Sequence, residues 1–274
     1  NKERFLKERM LFDITLFSDD SKIQRKPKGH LYLYPLIAIA AMLAIVFVMD
    51  LPHMHKPKQQ LSQTIRIPSG QRAQMDLPDG SVVWLNSQTT LTYDEDFGKK
   101  DRKVTLDGEA YFEVAHNKEI PFYVQTENIK VQVTGTKFDV CSYKGSNSFI
   151  ARLIEGSINL LTNSAKEEKT ITSLTKGKYF SMENGKYRTG EMSSNNALAW
   201  MQGIYYFDDV PFKELLDKIA LYYNYKITVK NPKILENYRC TGKFKDLDGI
   251  EHILKVIQKD HPFKYNIDNE HNKI

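Results

Sequence analysis

Between Leu31 and Met49 the chain reads LYLYPLIAIAAMLAIVFVM, nineteen residues without a charge. Wound as a helix at about 1.5 Å per residue, this run is about 28 Å long, close to the roughly 30 Å of a bilayer's hydrocarbon core. Pro35 falls near the first turn, where a missing N–H costs little, and Tyr32 and Tyr34 stand where interfacial aromatics belong. The predicted membrane helix is 31–51. A cleavable signal peptide would have a shorter apolar run followed closely by an A-x-A-like site, whereas here the run ends in Val48, Met49, Asp50 and Leu51. A buried core helix would carry a polar stripe. Lys22, Arg25, Lys26 and Lys28 precede the run; after it come Asp50 and, only later, Lys56 and Lys58. The positive-inside rule then predicts a cytoplasmic N-terminus and an exported remainder.

The charge distribution agrees. Residues 1–30 hold eight Lys/Arg against five Asp/Glu, while the rest holds thirty-one against twenty-nine. A nucleic-acid binder concentrates its basic groups on one face or stripe, so no direct nucleic-acid contact is expected of the large part. Residues 52–63 are polar, with two prolines and no apolar period, and read as a linker. His53 and His55 within it supply half a tetrahedral metal shell, and solvated linker residues are the expectation. Cys141 and Cys240 have no metal-ligand spacing; a disulfide is open to an exported chain, and two unpaired buried thiols are expected.

From about 64 to 195 the apolar period becomes 2, as at Val104 and Leu106 or Val131 and Val133. Turn signals break the strands at Pro68-Ser69-Gly70, Pro78-Asp79-Gly80, Asp107-Gly108, Lys144-Gly145-Ser146, Glu155-Gly156 and Asn184-Gly185. Many short strands with no amphipathic helix predict an all-β domain, a sandwich or an irregular β-roll. Glu109 and Glu113 invite the paired-carboxylate reading of a glycosidase. Residues four apart along a strand lie about 13 Å apart, beyond even the inverting separation, so surface or cross-strand contacts are expected of them. Asp76 and Asp79 flank a turn, where Asp supports the backbone. Gly135-Thr136-Lys137 lacks the spacing of a phosphate loop, and neither G-x-S-x-G nor H-E-x-x-H occurs. The sequence predicts no enzyme, no cofactor and no metal site.

The motifs of this region come in a series. Ile67-Pro68-Ser69-Gly70-Gln71-Arg72 precedes Leu77-Pro78-Asp79-Gly80-Ser81-Val82-Val83-Trp84-Leu85-Asn86. Then follow Gly108-Glu109-Ala110-Tyr111-Phe112-Glu113-Val114, Pro121-Phe122-Tyr123-Val124, Gly135-Thr136-Lys137-Phe138-Asp139-Val140 and Leu153-Ile154-Glu155-Gly156-Ser157-Ile158. In this order and spacing, from about 64 to 274, the chain resembles the FecR family of transmembrane sigma-factor regulators in the form common in Bacteroidetes. The glycines suit turns, bulges or close strand approach, and Trp84, Phe112 and Phe138 suit a core. None of them is carried over as a binding residue. The resemblance implies a bacterial inner-membrane protein that couples a TonB-dependent outer-membrane receptor, through that receptor's periplasmic signalling domain, to a cytoplasmic extracytoplasmic-function sigma factor. It also implies a membrane protease as the means of passing the signal inward.

From 197 to 274 the period changes again. Ile204 to Phe207 reads as a strand, and Pro211 opens a helix with Phe212, Leu215, Leu216, Ile219 and Tyr222 inward. Asp208 and Asp209 suit its start and Asn224 its stop. Tyr225 to Val229 is a strand; Arg239 to Phe244, a helix over Gly249 to Lys259 with Ile250, Ile253, Leu254 and Ile257 inward, and Phe263 to Ile267 repeat the pattern. Two βαβ-like units predict a small α+β domain resembling the secretin/TonB short N-terminal fold. A receptor domain is expected to dock here by adding a strand to an edge, with Tyr238, Arg239, Thr241, Lys243 and Phe244 as the candidate edge. Tyr205, Tyr206, Phe207, Tyr222 and Tyr223 are either a recognition patch or core, and core is favoured.

Family members carry a longer helical domain before the membrane. Here Glu3 to Phe17 can form one helix, with Phe5, Met10 and Phe12 as candidate sigma contacts. One such helix cannot bury a core alone. It folds onto the sigma factor, or the chain is a fragment, as its first residue Asn1 suggests, or that role is lost. A purely structural periplasmic scaffold is the alternative to a relay.

Overall fold

The computed structural model describes residues 35, 38–45, 61–163, 168–192 and 195–274. The chain divides into two compact units, Asn1–Gln59 and Gln60–Ile274. In the first, residues 38–45 are helical, with Ile39, Met42, Leu43 and Ile45 exposed. Among the described residues no helix is long and apolar enough to cross a membrane. Most of the predicted span, the helix over Glu3 to Phe17, and the candidate contacts Phe5, Met10 and Phe12 lie outside the described residues.

The second unit opens with thirteen strands in one curled sheet. They are β1 (Ser62–Arg66), β2 (Ala73–Asp76), β3 (Val82–Leu85), β4 (Thr90–Asp94), β5 (Arg102–Glu113), β6 (Phe122–Gln125), β7 (Ile129–Val133), β8 (Lys137–Ser142), β9 (Ser148–Glu155), β10 (Ser157–Thr162), β11 (Thr170–Thr175), β12 (Lys178–Glu183) and β13 (Lys186–Glu191). The end of the predicted linker, Ser62 and Gln63, already belongs to β1.

β5 is the spine. Its first half pairs with β4 and, in the sheet's one parallel pairing among these strands, with β6; its second half pairs with β3 and β8. Between them sits Gly108, at φ 136°, where an added Cβ would lie 2.4 Å from Thr89 Oγ1. That approach lets one strand serve both halves of the sheet, an arrangement a side chain would obstruct. From there the order runs β11-β10-β7-β6-β5 on one side and β5-β8-β9-β12-β13 on the other. Apolar positions alternate inward as the period predicts, and the halves share one core in which Phe112 stacks on Phe138 at 5.1 Å and meets Phe122 edge-on at 5.9 Å.

The alternation breaks over the longest run in β5, and over shorter runs in β8 and β10. Glu109, Ala110, Tyr111 and Phe112 are all buried, although a half-solvated strand buries every second residue. Ala110 and Phe112 face the β core, whereas Tyr111 belongs to a second core built with the C-terminal part. The second half of β5 is therefore covered on both faces.

That C-terminal part comprises a 3-10 helix (Asn195–Gln202), β14 (Ile204–Pro211), α1 (Phe212–Tyr223), α2 (Lys233–Asn237), β15 (Arg239–Lys245), a 3-10 turn (Asp246–Asp248) and α3 (Gly249–Asp260). α1 and α3 bury the very residues their periodicity predicts, each worth roughly 1.5–3 kcal/mol when fully removed from water. Asn224 stops α1 in the left-handed conformation, φ 58°. Asp208 and Asp209 do not cap its start: Pro211 stands there without a side-chain cap, and the two aspartates fall in a register shift of β14, with Asp209 at φ 45°. β14 and β15 form an antiparallel two-stranded sheet. The predicted strands at 225–229 and 263–267 do not form as such. Lys226 and Thr228 instead hydrogen-bond to the C-terminal residues Asn272 and Ile274, leaving only isolated bridges. The two βαβ-like units thus pair through their first strands.

Candidate docking surface

β15 alternates cleanly. Arg239, Thr241, Lys243 and Lys245 are exposed, while Cys240 and Phe244 are buried. Of the five candidate docking residues, three therefore share the outer face. Arg239 pairs with Asp209 at 2.7 Å and also donates to the Asp209 carbonyl; Thr241 Oγ1 accepts from the Asp209 N–H at 2.9 Å; and the Lys243 ammonium lies 5.3 Å from the Tyr206 ring centre. Phe244, 6% exposed, packs against Phe207 in the core and leaves the surface to its neighbours. Tyr238 is half-buried, stacked on His261 at 4.4 Å. Tyr205, Phe207 and Tyr222 are core, as favoured, and Tyr206 is exposed on the outer face. Both cysteines are free thiols.

The strand edge is short. The Asp246 N–H donates to the Gly203 carbonyl and the Phe212 N–H to the Tyr238 carbonyl. In an antiparallel ladder this phase turns the backbone groups of Arg239, Thr241, Lys243 and Lys245 away from β14. The Arg239 carbonyl meets His261 Nε2 at 2.9 Å, and the Lys245 N–H donates to Asp248 at 2.9 Å. Among the described residues β15 pairs with no strand besides β14, so Thr241 and Lys243 form the open edge.

Behind this surface lies a polar joint that the motifs did not disclose. The last carbonyls of α1 are held by the β domain. Ser69 Oγ and Ser87 Oγ donate to the Tyr222 carbonyl at 2.9 and 3.2 Å, and Gln88 Nε2 donates to the Leu221 carbonyl. Nearby, Arg72 pairs with Asp246 at 2.7 Å. Deeper in, Glu109 is 4% exposed and Asp139 fully buried. Burial therefore corrects the surface reading of Glu109, while Glu113 makes the expected cross-strand contact, 3.3 Å to Lys137. Arg152 lies 2.5 Å from Asp139 and 3.7 Å from Glu109; Asn86 Nδ2 donates to Glu109 at 2.6 Å, and the Trp200 indole N–H to Asp139 at 3.3 Å. Burial, then the neighbouring Asp139, pushes Glu109 from the ordinary 4.5 up to about 7. Burial likewise raises Asp139 against the pull of Arg152. The one signal in the sequence was the run Glu109 to Phe112, too continuously apolar around its carboxylate for a solvated strand.

Two family models match the chain in order, FecR protein over residues 63–159 and the FecR C-terminal model over 204–274. Two crystal structures of candidate anti-sigma factors from Parabacteroides distasonis ATCC 8503 share the architecture. One, at 2.50 Å resolution, is 25% identical with a TM-score of 0.66 and covers 78% of this chain and 98% of its own. The other, at 1.65 Å, is 24% identical with a TM-score of 0.66, covering 77% and 96%. A search of the curated proteins found no match. With both parts matched and the same fold in these relatives, the chain belongs to the FecR family.

Proposed function

We propose that the chain is a single-pass regulator of the inner membrane, anchored by 31–51 with its N-terminus in the cytoplasm. Its exported part receives a signal from the periplasmic signalling domain of a TonB-dependent receptor. The N-terminal segment passes that signal to an extracytoplasmic-function sigma factor, with a membrane protease as the carrier across the bilayer. The observation that carries the input half of this reading is the outer face of β14 and β15. It offers Tyr206, Arg239, Thr241 and Lys243 together, beside the open edge at Thr241 and Lys243, while the inner face is committed to the core. Short polar edges take a partner strand through main-chain hydrogen bonds and discriminate by the flanking side chains. The uncharged stretch and the basic residues before it support the anchor and its orientation.

The test is titration of residues 60–274, wild type and R239E/K243E, with purified receptor signalling domains. Saturable binding to one of them, weakened at least about tenfold by the charge reversals with stability unchanged, is expected, since charges at an interface discriminate strongly between partners. A folded chain that binds none of the domains, or a variant that binds as well as wild type, removes this surface from the reading. Removing the whole of 197–274 would be a poor control, because it uncovers Tyr111 and Trp84 of the β domain.

A further inference from the structure

The cluster behind the docking surface has more negative than positive charge. Glu109 on β5 and Asp139 on β8 share Arg152 on β9, and the register brings them together: Tyr111 opposes Asp139, Asp139 opposes Arg152, and Glu109 opposes Cys141. With both carboxylates ionised, the contacting groups sum to one net negative charge, carried by two buried carboxylates around a guanidinium that is 18% exposed, and a buried charge without a partner is strongly destabilising. The groups facing it from the other elements do not remove this imbalance. Cys141, Tyr143 and, from the C-terminal part, Tyr205 and Tyr222 are all held neutral, chiefly by burial. Lys218 on α1 acts on Glu109 more weakly than Asp139, Arg152 or Asn86 and spends its ammonium on Glu214, 2.9 Å away.

Two arms connect the cluster to the C-terminal part. From Glu109 the chain of bonds runs to Asn86, whose neighbours Ser87 and Gln88 grip the last carbonyls of α1. From Asp139 it runs to Trp200 in the 3-10 helix that leads into β14. We propose that the joint between the β domain and the C-terminal part is a proton-coupled latch, seated most tightly when the Glu109–Asp139–Arg152 cluster carries one proton and loosened as that proton leaves. The proton resides on Glu109, because Asp139 accepts both the guanidinium and the indole N–H, which favour its charged form. Opening the joint hydrates Glu109 and returns it to the ordinary carboxylate range. The closed joint therefore binds the proton more tightly than the open one. Its added stability is complete below the ordinary 4.5 and is lost as pH rises through about 7. The inference does not depend on which partner docks outside.

Both tryptophans of the chain, Trp84 and Trp200, pack at this joint. The experiment follows tryptophan emission and amide hydrogen exchange in the full chain, in detergent, from pH 5 to 8.5, for wild type and E109Q. In wild type the opening of α1, corrected for intrinsic exchange, increases by up to about tenfold per pH unit below a midpoint near 7 and then levels off. The emission shifts in step, and β6 and β7 hold their protection. In E109Q, which keeps the shape of the protonated acid, α1 stays closed throughout. A wild-type profile flat across that window overturns the proposal. So does an E109Q profile that follows wild type, or an equal loss of protection in β6 and β7. Should E109Q fail to fold, the wild-type profile decides alone.

Discussion

Two arginines hold carboxylates inside the β domain, Arg102 fully buried and Arg152 18% exposed, and they are used in opposite ways. Arg102, 2% exposed, faces one carboxylate, Asp79 at 3.3 Å. It also donates to the carbonyls of Ile120, Ala115 and Asn117 at 2.6, 2.8 and 2.9 Å, with the Phe122 ring 5.9 Å below. One positive charge meets one negative, and the remaining donors close the loop between β5 and β6. Arg152 faces two carboxylates and makes no such set of loop contacts. The first site is balanced and fixes a loop; the second is unbalanced and leaves a proton to complete it. The same residue type can build a permanent clip or a titratable one, and the number of buried carboxylates around it separates the two.

The largest effect should come from breaking the balanced site. R102M keeps much of the volume but strands Asp79 and three carbonyls, and removing one partner of a buried pair costs about 3–5 kcal/mol. Urea unfolding of residues 60–274 at pH 7 measures it through the midpoint. A loss under about 1 kcal/mol would mean that Arg102 behaves as a surface ion and would end the comparison.

R152M should cost less, about 2–4 kcal/mol at pH 8, and its cost should depend on pH. Without the guanidinium two buried carboxylates face each other, a penalty that is greatest when both are ionised. Both are already raised by burial in wild type, so on acidification they take up protons before solvated carboxylates would. The deficit of R152M relative to wild type therefore shrinks as pH falls from 8 towards 5. Unfolding curves at pH 8, 6.5 and 5 read this directly, and a deficit that is constant or grows towards acid contradicts the charge count.

Much of this was legible along the chain and some of it was not. The period-2 strands, the inward faces of α1 and α3, the left-handed stop at Asn224 and the core role of Tyr205, Phe207 and Tyr222 follow from local spacing, because each is set by residues a few positions apart. The joint is not local. Asp139 and Arg152 meet only through the register of β8 on β9, and Glu109 joins them only because Gly108 lets β5 pass from one half of the sheet to the other. The capping of α1 was invisible for the same reason: Ser69 lies 153 residues before the carbonyl it holds. At 225–229 and 263–267 the expected strands do not form: Lys226 and Thr228 bond only to the last few residues, Asn272 and Ile274, in isolated bridges rather than a ladder.

The smallest effect concerns the arm between the two regions. Gln88 reaches from the β domain to the Leu221 carbonyl, one of the last carbonyls of a helix, which have no partner within the helix itself. Q88A removes that bond but leaves Ser69 and Ser87 on Tyr222, so it should cost about 0.5–1.5 kcal/mol, the usual net worth of one hydrogen bond. The change should appear locally, as faster exchange in the last turn of α1, while the protection around Arg102 and in β6 stays as in wild type. If Q88A weakened β6 as much as α1, seating of the C-terminal part and folding of the β domain would be one event, and the clip and the latch could not be separate devices. If it touches α1 alone, the joint yields on its own, which is what a part that can be lifted from a rigid β domain requires.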